Sequence, residues 1–185
     1  MAVPAARYTP VAIFLHWLIA AGVFCQIALG LWMVAIPKSP PGIRAYWFNV
    51  HKSIGLTIGM LVVVRVLWRL AHQPPALPSA MPQWQRLAAK VSHRALYACM
   101  LVMPLAGYLG SSFTKYPIKY FGSTLPHWGF EAPRLKDLMS EIHLVTAAIF
   151  VALIALHVAA ALKHLVADRD EVFGRMWFTS KARAD

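Results

Sequence analysis

The chain has 185 residues, of which 59% are apolar and only 14% charged, with a mean hydropathy of +0.55. Soluble domains run to about 45–50% apolar and about 25% charged residues, so a soluble globule, a disordered chain and a coiled coil are excluded, and two cysteines exclude a disulfide-stapled miniprotein. The net charge of +11 would suggest nucleic acid in a soluble protein, but beside this apolar excess it points to a membrane surface.

A bilayer-spanning helix needs about 20 predominantly apolar residues, and four segments qualify, at about 11–36, 46–68, 94–114 and 141–165. The expected architecture is a single domain over 1–185, all-α, an integral membrane four-helix bundle. The first span has no Lys, Arg, Asp or Glu between Tyr8 and Pro37. It is longer than a signal-peptide core of about 7–15 residues and no small-residue cleavage site follows, so it is expected to stay in the protein. It carries His16 and Trp17.

A turn with Pro40, Pro41 and Gly42 leads to the second span, which contains His51 and a G-x-x-x-G spacing at Gly55 and Gly59. That spacing suits close helix packing, or room for a planar cofactor. A proline-rich loop with a basic stretch around Arg86 and Lys90 precedes His93 and the third span, which Pro104 is expected to kink. The third loop, Lys115 to Glu141, is aromatic and mixed in charge. The fourth span carries His143 and His157 and ends at His164. Cys25 and Cys99 read as buried small hydrophobes. Trp17, Trp32, Trp47 and Trp68 read as an interfacial aromatic belt, and His72 and His127 as solvated loop side chains.

Four spans put both termini on one side. The opposite side holds Lys38, Arg44, Lys52, Lys115, Lys119, Arg134 and Lys136, leaving 11 of the 18 cations with the termini. The positive-inside rule therefore places the termini in the cytoplasm.

Ionisable groups inside a membrane are costly and mark function by default. His143 and His157 lie 14 residues apart, which at 100° and 1.5 Å per residue separates them by about 40° around the helix and about 21 Å along it. Helix direction sorts the four embedded histidines by depth into two pairs, His16 with His157 and His51 with His143. Facing imidazoles from different helices suit a six-coordinate haem b. Zinc would need four converging ligands, and the spans offer no carboxylate or Cys cluster. No C-x-x-C-H is present, which excludes covalent haem. Two stacked haems would make an electron path across the membrane. His164 continues the stripe of His157 and is either an interfacial imidazole or a hydrogen-bond donor to a quinone carbonyl. His93 would serve there too, or bond a haem propionate.

Taken together, these positions resemble the bacterial cytochrome b561 family, the group that includes superoxide oxidase. The resemblance rests on His16-Trp17, His51 with Gly55, the Pro104-containing third helix, and Glu141 to His164 with its three histidines; Asp170 and Arg175-Met176 in the tail are similar too. It implies two haem b, with His16 and His157 on the cytoplasmic iron and His51 and His143 on the periplasmic one. It also implies His164 beside bound ubiquinone, and a multi-pass place in the bacterial inner membrane.

The expected function is oxidation of periplasmic superoxide to O2 with reduction of ubiquinone. The outer cations, Lys115, Lys119 and Arg134 among them, would steer the anion. Outer-sphere electron transfer requires no catalytic nucleophile or base. One alternative is a cytochrome b subunit carrying electrons between the quinone pool and a partner dehydrogenase or reductase. Another is a transporter or structural membrane protein whose histidines bind no haem.

Overall fold

The computed structural model describes residues 7–40, 42–78, 81–126 and 128–178. Four long helices cross the molecule in alternating directions: α1 (Pro10–Ala35), α2 (Ile43–Ala71), α3 (Gln83–Ser112) and α4 (Pro133–Lys163). All four are long and apolar enough to span a bilayer. The start of α1 combines Pro10 at its first position with Thr9, whose hydroxyl accepts the Ala12 N–H at 3.3 Å. α2 starts after Gly42, whose φ of 105° suits only a residue without Cβ.

α3 and α4 begin earlier than apolarity alone indicated, at Gln83 and Pro133. The stretch around Arg86 and Lys90 is helix, not loop, because Gln, Arg, Leu, Ala and Lys all favour helix strongly. Charge limits how deep that part sits in the bilayer; it does not end the helix.

α1 packs along α2, α2 along α3, and α3 most extensively along α4. Close backbone approach of α4 to α1 or α2 is scarce, and side chains occupy the space between them. Ile19, Val23, Val62, Cys99 and Phe150 form the buried centre. Large apolar side chains such as Phe24, Leu31, Leu67, Leu144 and Leu156 point outward. In water that surface would drive association, whereas in lipid it is the solvated face. Cys25 is on this exposed surface and only Cys99 is buried. A site open to lipid costs a small apolar thiol nothing, so both positions suit a membrane.

Gly55 and Gly59 serve packing. A Cβ on Gly55 would lie 3.0 Å from Gln26 Nε2, and one on Gly59 3.1 Å from the Pro104 ring, so the small residues let α1 and α3 close on α2.

The α3–α4 connection is partly ordered by a hairpin, β1 (Lys119–Tyr120) with β2 (Ser123–Thr124), antiparallel. It docks on α2 through the fully buried Ser53, whose hydroxyl donates to the Asn49 carbonyl at 2.8 Å and accepts the Phe121 N–H at 2.9 Å. Thr57 and Tyr120 share a further hydroxyl hydrogen bond of 3.0 Å. Beside the hairpin is a cleft of about 510 Å³, lined by Tyr46, Asn49, Ser53, Lys119 and Phe121 among others.

At the opposite end the C-terminal segment folds under the bundle. Trp17 Nε1 donates to the Met176 carbonyl at 2.7 Å and its ring meets Trp177 edge-on, while Arg175 Nη1 donates to the Ala76 carbonyl at 2.6 Å. Trp68 Nε1 donates to Thr9 Oγ1 at 2.9 Å. Trp17 and Trp68 thus each satisfy the indole N–H with a protein acceptor. Trp32 and Trp47 pack edge-on at 4.9 Å, with Trp32 half exposed. His72 is exposed at the end of α2 and stacks on Trp68 at 4.0 Å; His127 lies outside the described residues.

Candidate haem centres

Two histidine layers lie one above the other in the space between α4 and the α1–α2 pair. Nearer the termini, the ring centroids of His16 (α1) and His157 (α4) are 6.2 Å apart, with planes at 75°. Farther away, His51 (α2) and His143 (α4) repeat that spacing, at 6.2 Å and 69°. α4 supplies a ring to both layers because the 14-residue interval nearly preserves its face. Phe150, seven residues from each, is buried between them. The depth sorting read from the sequence thus matches the pairs that the fold brings together.

Both spacings fit a six-coordinate iron. Two metal–imidazole bonds of about 2.0 Å, plus roughly 1.1 Å from each nitrogen to its ring centre, place two collinear ring centroids about 6.2 Å apart.

The donor chemistry agrees in the farther layer. His143 Nδ1 lies 3.0 Å from the Met103 carbonyl. A carbonyl only accepts, so Nδ1 carries the proton and Nε2 keeps the lone pair that a metal requires. Gly107 lies against this ring: a Cβ there would sit 3.4 Å from that Nδ1, an ordinary contact that leaves no room for a larger side chain. Gly30 does the same for His51, at 3.4 Å from its Cε1. His51 Nδ1 is buried without a hydrogen-bond partner. Gln26 Nε2 donates to the His51 carbonyl at 2.8 Å, and its Oε1 is also buried and unpartnered.

The layer near the termini is more polar. The His93 ring lies 5.5 Å from that of His157, edge-on. Arg65 donates from Nη1 to the Ala12 carbonyl at 2.8 Å and from Nε to the Tyr97 hydroxyl at 3.1 Å. Those bonds hold a cation within electrostatic range of His16, His93 and His157.

His164 lies beyond this layer, its side chain 14% exposed. Its Nδ1 is not free: Asp170 Oδ2 lies 2.7 Å away and Asp168 Oδ2 3.2 Å. The chain turns back after α4 and brings both carboxylates to the ring. Only Nε2 is left for a ligand. His93 is placed beside His157.

The cations expected to steer an anion are exposed on the side of the His51–His143 layer. Lys115 lies over the Tyr116 ring at 5.7 Å. Lys119 borders the hairpin cleft, its carbonyl 3.4 Å from the Ser53 hydroxyl. Arg134 is in the first turn of α4.

The model of the prokaryotic cytochrome b561 family matches residues 7–179, nearly the whole chain. The chain belongs to that family. It is 37% identical over 180 residues to cytochrome b561 homolog 2 of Escherichia coli K12, covering 92% of this chain and 90% of that protein. It is 28% identical over 177 residues to the probable superoxide oxidase CybB of Yersinia pestis, covering 92% and 95%. As a prokaryotic cytochrome b561 it is a multi-pass membrane protein that binds b haem and takes part in membrane electron transfer.

Sequence reasoning missed several residues that shape these cytochrome centres. Gly30 and Gly107 belong to no spacing motif. Gln26 and Arg65 carry a signal as polar residues within apolar spans, although neither is a haem-ligand type.

Proposed function

We propose that this cytochrome holds two haem b, one between His16 and His157 and one between His51 and His143. In this reading it oxidises periplasmic superoxide to O2 and reduces ubiquinone in the bacterial inner membrane, with both termini cytoplasmic. The observation that carries it is the repetition of one histidine geometry at two depths. Two haems at those depths supply a one-electron path across the bilayer.

The chain's own residues do the rest. Lys115, Lys119 and Arg134 raise the encounter rate of a small anion at the periplasmic side. His164 Nε2 meets ubiquinone at the cytoplasmic side, where a donor stabilises negative charge as it builds on a carbonyl oxygen. The balance is two superoxide ions giving two O2 and two electrons, and ubiquinone taking those electrons with two protons. The name of the Yersinia relative supports this substrate.

The test is stopped-flow mixing of the oxidised cytochrome with superoxide, following haem absorption. Rapid reduction is expected. Neutralising Lys115, Lys119 and Arg134 together should slow it at low ionic strength, with the difference shrinking as salt screens the charges. Reduction only in the presence of a soluble partner protein would overturn the reading in favour of an electron-carrier subunit.

A further inference from the structure

The chain changes its winding where α4 ends. His164–Asp168 form one turn of π-helix, and Arg169 follows with φ 50° in the left-handed region. The Asp170 N–H then closes on the His164 carbonyl at 3.2 Å. Single π-turns are rare and are frequent at functional sites.

Here the turn folds Asp170 back onto the ring seven residues past His157. Asp170 Oδ2 lies 2.7 Å from His164 Nδ1, while Oδ1 accepts the Val172 N–H at 3.0 Å. The carboxylate is thus held at both oxygens. Asp168 Oδ2 is 3.2 Å from the same nitrogen, and the Lys163 ammonium pairs with Asp168. The imidazole side chain is 14% exposed, against 34% for Asp170 and 31% for Asp168. A sheltered ring is therefore backed by two carboxylates that reach water.

A carboxylate can only accept from Nδ1, so Asp170 fixes the tautomer and compensates the charge of the doubly protonated ring. The proton on Nε2 is then the one available for transfer. We propose that His164 is the general acid for the quinone reduced at this end, and that Asp170 is its positioning residue, with Asp168 adding to the charge compensation.

This rests on the quinone reading given above. Ubiquinone needs two electrons and two protons to become the quinol. The electrons come from superoxide through the membrane path. In each proton step an O–H bond forms at a carbonyl oxygen as the Nε2–H bond of His164 breaks, and that bond's electron pair stays on nitrogen. The neutral ring keeps Nδ1–H on Asp170 and takes its next proton at Nε2 from cytoplasmic water.

The experiment follows reoxidation of the reduced, haem-loaded cytochrome by ubiquinone-1 over a range of quinone concentrations, in H2O and D2O. Asp170→Asn should keep the haem spectra and a KM within about twofold of wild type, lower the maximal rate at least about tenfold, and enlarge the solvent isotope effect. Asp170→Glu should restore most of the rate, and Asp168→Asn should cost less than Asp170→Asn. His164→Ala should cost as much as Asp170→Asn, with no further loss in the double variant.

A normal maximal rate in Asp170→Asn beside a slow His164→Ala overturns the dyad and leaves the quinone reading standing. Normal quinone kinetics in His164→Ala with haem intact overturns both. Should Asp170→Asn lose haem, Asp170→Ala is read with and without added formate. Recovery of rate then supports the dyad, and no recovery overturns it.

Discussion

Gly107 is the sharpest structural test of the farther haem centre. A Cβ there lies 3.4 Å from His143 Nδ1 and 3.5 Å from its Cε1, so Gly107→Ala adds an ordinary contact. Gly107→Val adds two more carbons about 1.5 Å beyond the Cβ, and they cannot both clear the ring. Overpacking of this kind costs about 1–3 kcal/mol, and displacing the ring also loses the Nδ1–H bond to Met103, worth about 1 kcal/mol. The sum, about 2–4 kcal/mol, corresponds to roughly 30- to 700-fold weaker haem retention at about 1.4 kcal/mol per decade. The haem between His16 and His157 should be untouched. A pyridine haemochrome assay with a redox-difference spectrum reads both quantities. Gly107→Val should lose about half of the bound haem, Gly107→Ala almost none, and Gly174→Val none, since nothing lies within 4 Å of a Cβ there. Full haem content with both spectral components in Gly107→Val would refute the placement of His143 as a ligand.

Two further outcomes follow from the layers. His51→Ala or His143→Ala should remove one spectral component, and His16→Ala or His157→Ala the other; loss of the same component from His16→Ala and His51→Ala would break the pairing. Arg65→Leu should lower the midpoint potential of the His16–His157 haem alone, because a nearby cation favours the reduced, less positive state. Arg65→Lys should lower it less, keeping the charge while losing the forked hydrogen bonds, and equal shifts in both haems on redox titration would contradict the assignment.

The two histidine layers were legible because membranes simplify the code. Charged and polar residues are scarce in the spans, so each embedded histidine carries weight, and antiparallel helices turn chain position into depth. The fourteen-residue interval on α4 was enough to separate two layers. Gly30 and Gly107 were not legible, since a glycine that makes room for a ring has no periodicity of its own and its partner is on another helix. The His164–Asp170 contact was hidden for a different reason. On a regular α-helix residues six apart do not share a face, and only the π-turn with left-handed Arg169 brings them together. The starts of α3 and α4 were misjudged because apolar length measures the embedded part of a helix and says nothing of where its hydrogen bonding begins.

The two layers are alike in geometry and differ in how a nearby cation is held. Each has imidazoles 6.2 Å apart between α4 and one other helix. Around His51 and His143 the hydrogen-bonding partners are neutral, the Met103 carbonyl and the Gln26 amide, while the part-buried Lys52 puts a cation within electrostatic range of His51. Around His16 and His157 the guanidinium of Arg65 is held by two hydrogen bonds, with His93 beside it. A positive charge in a medium that screens poorly lowers the energy of an added electron. In the proposed function, electrons enter from the Lys115–Lys119–Arg134 side, and the carboxylate-backed imidazole stands at the end where protons join them.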